Sequence, residues 1–167
     1  FVFIVQGKAW NKKTLFFIIA VVIVVVFADR FTDILDNMLA ETQYQNVVSD
    51  WEQFQDDGTN ILRVLVYSVP TILSLIGIKY IREADDPVIN ICVNMSIASA
   101  GLYVVSMFTS GIFIGRLPIY FSLYNYILLP WEIRNIFTKR SAALINGAML
   151  LGYTGFYMYS IYTMGMI

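Results

Sequence analysis

Residues 14–28 read TLFFIIAVVIVVVFA, a run with no charged side chain and no polar one after its first threonine. A helix that is apolar around its whole circumference belongs in a bilayer or deep inside a large core. The pattern recurs in residues 61–80, 87–107, 117–133 and 141–162, which are mostly apolar and separated by short charged stretches. The chain is 58% hydrophobic and 14% charged, against roughly 45–50% and about 25% for an ordinary soluble domain. A helix crosses the hydrocarbon core with about 20 mostly apolar residues. The expectation is an all-α, polytopic membrane bundle: one domain over residues 1–167 with about five transmembrane helices and amphipathic helices in one loop.

The helix boundaries have local causes. Trp10, Lys12 and Lys13 can anchor the first span, residues 14–28, at the interface. Pro70 removes a backbone hydrogen bond from the second span, residues 61–80, and predicts a kink there. Asp86 and Pro87 form a good helix start, with Asp at the cap and Pro in the first turn. Pro118 does the same for the fourth span, and the fifth covers residues 141–162. Asn90 and Asn94 share a face of the third span and read as interhelical hydrogen-bond partners or as cavity lining. Gly147, Gly152 and Gly155 with Tyr153, Tyr157, Tyr159 and Tyr162 read as close packing, an interfacial belt or a glycan track along the last helix.

Several function classes drop out. The chain has no histidine and a single cysteine, which removes a Ser-His-Asp triad, imidazole metal sites and a disulfide framework. No metal motif is present, no cofactor is called for, and nothing points to nucleic acid. FVFIV followed by QGKAWNKK runs apolar to basic, the reverse of a secretory signal. It reads as the tail of an earlier apolar segment, so the chain is expected to be the carboxy-terminal part of a longer polytopic protein.

Charge gives the orientation. With the first loop in the cytoplasm, eight basic residues lie inside (Lys8, Lys12, Lys13, Lys79, Arg82, Arg134, Lys139, Arg140) and three outside (Arg30, Arg63, Arg116), the direction of the positive-inside bias. The loop 29–60 is then outside. Phe31, Ile34, Leu35, Met38 and Leu39 mark one amphipathic helix in it, and Val47, Val48, Trp51 and Phe54 begin another. Such helices lie on the outer surface or cover a cavity between spans.

Three arginines at the outer ends of spans are either anchors or ligands. Arginine at hydrocarbon depth usually faces a polar interior or pairs with an anion, and its planar fork matches carboxylate and phosphate oxygens. Arg63 lies about one turn inside an apolar run, and its internal partner in this reading would be Asp57. The alternative is an anionic substrate.

The runs DGTNILRVLVYSVPTIL (57–73) and FTSGIFIGRLPIYFSLYNYILLP (108–130) resemble the carboxy-terminal half of the EpsG family. The distinctive residues are Arg63 with Pro70, and Arg116 followed by Pro118, Tyr120, Tyr124 and Asn125. The resemblance implies a multi-pass protein of the bacterial cytoplasmic membrane, in exopolysaccharide and capsule synthesis. It implies a Wzy-type polymerase, acting on polyprenyl-diphosphate-linked oligosaccharide at the outer face, in the company of other polysaccharide-synthesis membrane proteins. In that chemistry Arg116 and Arg63 stabilise the departing diphosphate, with Arg30 as a further ligand. Asp57, or else Glu52 or Asp50, serves as base for the acceptor hydroxyl. Tyr120, Tyr124, Asn125 and Trp51 contact the glycan, for aromatic faces suit sugar rings. Two rivals remain: a lipid-linked sugar transporter or flippase subunit, and a non-catalytic scaffold of a synthesis complex.

Overall fold

The computed structural model describes residues 7–27, 30, 34, 37, 38, 59–108 and 114–163. Every regular element among them is helical: α1 (Lys12–Val26), α2 (Ile61–Ile76), α3 (Ile78–Ala84), α4 (Pro87–Phe108), a 3-10 turn (Ile114–Arg116), α5 (Leu117–Ser122), α6 (Asn125–Ile136) and α7 (Lys139–Thr163). In the acidic loop, Arg30, Ile34, Asn37 and Met38 are helical. Phe31, Leu35 and Leu39 of the first expected amphipathic stripe, and the whole of the second, lie outside the described residues.

The helix α4 forms the axis of the bundle, packing against α1, α2, α5 and α6. Its buried positions run around the circumference and include Asn90, Asn94, Ser96, Ser99 and Ser106. A helix surrounded on all sides has no polar face to spare, so its polar groups must find partners in the neighbouring helices. They do: Ser96 pairs with Thr71 at 2.8 Å, Ser106 with Thr59 at 2.7 Å, and Ser99 donates to the Pro118 carbonyl at 3.1 Å. Asn90 accepts from the Ala9 amide at 2.8 Å, and Asn94 donates to the Gly7 carbonyl at 3.1 Å. The basic stretch before α1 is thus a turn tied to the bundle, reinforced by Trp10, whose indole N–H donates to Ser74 at 3.1 Å. Asn11 caps α1 by accepting from the amides of Lys13 and Thr14. Between Thr71 and Ser96, a double-mutant cycle to Ala measured by reversible unfolding in bicelles should give a coupling of about 0.6 kcal/mol and at most about 1.7, the range of interhelical hydrogen bonds in a membrane.

The second expected span is broken at Gly77. The helix α2 continues through Pro70 and ends at Gly77, where the chain bends by 69° into α3. The proline leaves the Val66 carbonyl without its helical donor, and the Tyr153 hydroxyl from α7 donates to that oxygen at 3.4 Å. Glycine is required at this bend, because the Ile136 side chain at the end of α6 occupies the place where a Cβ would stand. The expected fourth span is likewise divided: α5 and α6 are separated at Leu123 and Tyr124, where the amides of Tyr124 and Tyr126 bond three residues back. Asp86 starts α4 as expected, its carboxylate accepting from the Val88 amide at 2.8 Å.

Only α4 among the described helices is both long and apolar enough to cross a membrane, and α2 with α3 passes the same test as one bent pair. With 15 residues α1 is short, α5 and α6 are pieces of a divided segment, and α7 is diluted by Asn, Ser, Gly and Tyr. Five full spans are therefore not established by length and hydropathy. The outer surfaces are nevertheless apolar: Phe16, Val26, Leu144, Leu150 and Leu151 are all more than two-thirds exposed, and contiguous apolar surface of that kind needs a lipid or protein covering.

The two ends of the bundle differ in charge. One end gathers the start of α2, the end of α4 and the 3-10 turn, since Thr59 bonds Ser106 and a Cβ on Gly115 would stand 2.9 Å from the Thr59 hydroxyl. The end of α7 joins them through Asn60, whose amide donates to the Tyr159 hydroxyl at 3.3 Å. Arg63 and Arg116 belong to this end. The opposite end carries the turn before α1, α3 and the junction of α6 with α7, and with them the lysines and remaining arginines of those segments.

Candidate functional site

Arg63 and Tyr67 are one helical turn apart on α2, so they share a face. That face opens into a cavity of about 690 Å³ bounded by α2, α4, α5, α6 and α7. Five tyrosines line it with Arg63: Tyr67, Tyr103, Tyr126, Tyr153 and Tyr157. Tyr67 stacks on Tyr103 with ring centroids 4.9 Å apart and meets Phe156 edge-on at 6.2 Å. Tyr103 is 1% exposed and fixes the back wall. Offset and edge-to-face ring pairs are worth about 0.5–1.5 kcal/mol each beyond burial, which holds these phenol rings in place. Among the described residues no carboxylate pairs with Arg63, so its guanidinium faces the cavity with its donors uncommitted to an acidic partner.

A second cavity of about 330 Å³ continues from the first, sharing Tyr67, Tyr126 and Tyr153 with it. Ser122 and Asn125 stand near the shared tyrosines, and Leu129, Pro130, Ile133, Met149 and Leu150 supply apolar walls. Asn125 opens α6 immediately after the break, is 8% exposed, and has no hydrogen-bond partner for either amide atom among the described residues. Two turns further along the same helix, Glu132 is 0% exposed and neither carboxylate oxygen has a partner among those residues. Among the described residues no group of three His, Cys, Asp or Glu side chains could hold a metal.

The residues expected from sequence are distributed unevenly around this site. Arg63 and Asn125 line the joined cavities. Arg116 caps α5 at the same end of the bundle, is exposed, and lines neither cavity. Tyr120 is 70% exposed, and Tyr124 packs against the core. Arg30 is exposed beyond α1. Asp57 and Trp51 lie outside the described residues, as do Asp50 and Glu52. Sequence reasoning missed Tyr67, Tyr103, Tyr126 and Glu132. The spacing of Arg63 and Tyr67 was the one available signal, because α-helical periodicity alone puts them side by side.

Comparison with curated proteins and with solved structures gives no match. The family model of the EpsG family matches residues 1–166, which extends the resemblance back through α1 and the turn before it. The chain belongs to the EpsG family, membrane proteins of exopolysaccharide biosynthesis.

Proposed function

We propose that the chain carries the transfer site of an exopolysaccharide polymerase working at the outer face of the bacterial cytoplasmic membrane. The observation that carries this reading is Arg63: a cation in a tyrosine-lined cavity, without a carboxylate partner among the described residues, at the end of the bundle with few basic residues. Such a site suits an anion attached to a sugar. In the reaction, the bond between the anomeric carbon and the diphosphate oxygen breaks while an acceptor hydroxyl oxygen bonds to that carbon. The hydroxyl proton passes to a base, and the lipid diphosphate leaves with the bonding electrons.

Arg63 holds the diphosphate where its negative charge grows, and the tyrosines flank the sugar rings. Arg116, exposed at the same end, guides the incoming anion. Asp57, Glu52 or Asp50 from the acidic loop supplies the base, Trp51 contacts the glycan and Arg30 is a further ligand for the anion. Arg63 lies at the end of the bundle with few basic residues, and the second cavity has no charged residue among its described lining residues, which favours transfer at one face over passage of a charged lipid-linked sugar across the membrane.

The test is reconstitution in liposomes with purified polyprenyl-diphosphate-linked repeats. A polymerase lengthens chains and releases polyprenyl diphosphate; a transporter moves single repeats without lengthening them, and a scaffold does neither. In the same assay Arg116→Ala is expected to reduce turnover less than about tenfold, because an exposed charge acts through long-range attraction. A loss as large as that of an Arg63 substitution would move Arg116 into the transfer machinery.

A further inference from the structure

Asn125 is an anomaly for a side chain so deeply placed. A buried primary amide has two donor hydrogens and an acceptor oxygen, and leaving them unpaired carries a desolvation penalty that native structures rarely tolerate without a reason. Here both amide atoms are unpartnered, the residue is 8% exposed, and it borders the 330 Å³ cavity. Ser122, next to it in the lining, is already engaged, donating to the Ile119 carbonyl at 2.8 Å and bonding the Tyr103 hydroxyl, so Asn125 is left to supply the polar contact.

The required ligand group must therefore offer an acceptor to the Asn125 N–H and a donor to its oxygen. A neutral group is favoured, since the lining of this cavity contains no charged residue. It must also place an apolar end against Leu129, Ile133 and Met149, the exposed Asn146 being the other amide in the lining. A pair of sugar hydroxyls meets the first condition but leaves polar atoms against the apolar wall. An acetamido group meets all of them: its carbonyl accepts from Nδ2, its N–H donates to Oδ1, and its methyl fills the apolar recess. We infer that the inner cavity is a subsite for the acetamido group of an N-acetylated hexosamine, held by Asn125 beside the Arg63 cavity. The inference rests on the reading of the Arg63 cavity as a lipid-diphosphate glycan site and names the sugar class that site accepts.

Three synthetic probes separate the subsite from the site. Farnesyl-diphosphate-linked hexoses carrying 2-acetamido, 2-amino or 2-hydroxyl groups differ only in the group presented to Asn125. Binding to the full-length protein in nanodiscs is measured by calorimetry, and contact of the acetyl methyl by saturation-transfer NMR. The acetamido probe should bind about 10- to 100-fold more tightly than the other two, the span set by one unpaired buried amide, and its methyl signal should respond to saturation of the protein. Asn125→Leu should erase the preference. Met149→Trp, on a helix that buries no residue of its own, should do so by filling the recess and serves as the control for folding.

Equal affinity for all three probes, with binding still dependent on Arg63, overturns the acetamido subsite and leaves the polymerase reading standing. Preference for the 2-hydroxyl probe assigns Asn125 to a diol and likewise overturns it. Failure of all three to bind a folded protein overturns both.

Discussion

Replacing Arg63 by Ala is expected to slow chain lengthening about 100- to 1,000-fold, the usual cost of removing one preorganised group from developing negative charge. The loss should fall on kcat more than on KM, because the diphosphate gains charge as it departs and the interaction strengthens along the reaction. Stability should change little. Arg63 is only partly buried and pairs with no carboxylate among the described residues, so truncation strands no buried countercharge there. Arg63→Lys keeps the charge but loses the planar fork that grips two oxygens at once, and should recover only part of the rate. Turnover of a folded Arg63→Ala protein within about threefold of the wild type would remove Arg63 from the chemistry and leave the tyrosine-lined cavity as a binding surface.

Glu132→Met is expected to stabilise the protein by about 1–3 kcal/mol. The wild-type carboxyl is 0% exposed with both oxygens unpartnered among the described residues, and a buried polar group left unpaired carries a penalty of that size. Methionine has similar length and volume and fits an irregular site without opening a cavity, so the substitution removes the penalty with little packing loss. Reversible unfolding in bicelles by steric trapping reads the change directly. Destabilisation of several kcal/mol would show that the carboxyl holds a partner, since breaking a buried pair is far more costly than never having made it.

The parts of this fold that were legible in the sequence are those decided by local chemistry. Asp86 and Pro87 announce the start of α4 because a cap and a fixed φ act within one turn. The paired asparagines Asn90 and Asn94 announce close neighbours, although sequence could not say that those neighbours are the Ala9 amide and the Gly7 carbonyl. The site depends on facts of another kind. Pro70 is legible in the sequence as a weak point of α2, whereas the 69° bend at Gly77, where Ile136 leaves no room for a Cβ, is not. Tyrosine has the same composition signal in an interfacial belt and in a cavity wall, so Tyr67, Tyr103 and Tyr126 could not be told apart from anchors until their packing was known. Glu132, counted with the inner charged residues, is buried on α6, which starts after a break at Leu123 and Tyr124 where neither residue is proline or glycine.

The division of labour between α4 and α7 has a consequence for how such a protein can change over time. Substitutions on α4 touch every neighbour and tax stability, since twelve of its 22 residues are buried. Residues on α7 shape both cavities yet the helix buries none of them; it is held by the Tyr159 contact at Asn60, the Tyr153 contact at Val66 and the Phe156 ring against Tyr67. Mutations there can redraw the outline of the site while the rest of the bundle stays folded. On the proposed reading, the wall with the least structural debt is the one along which new sugar preferences can arise by single steps, while Arg63 on α2 keeps the charge chemistry constant.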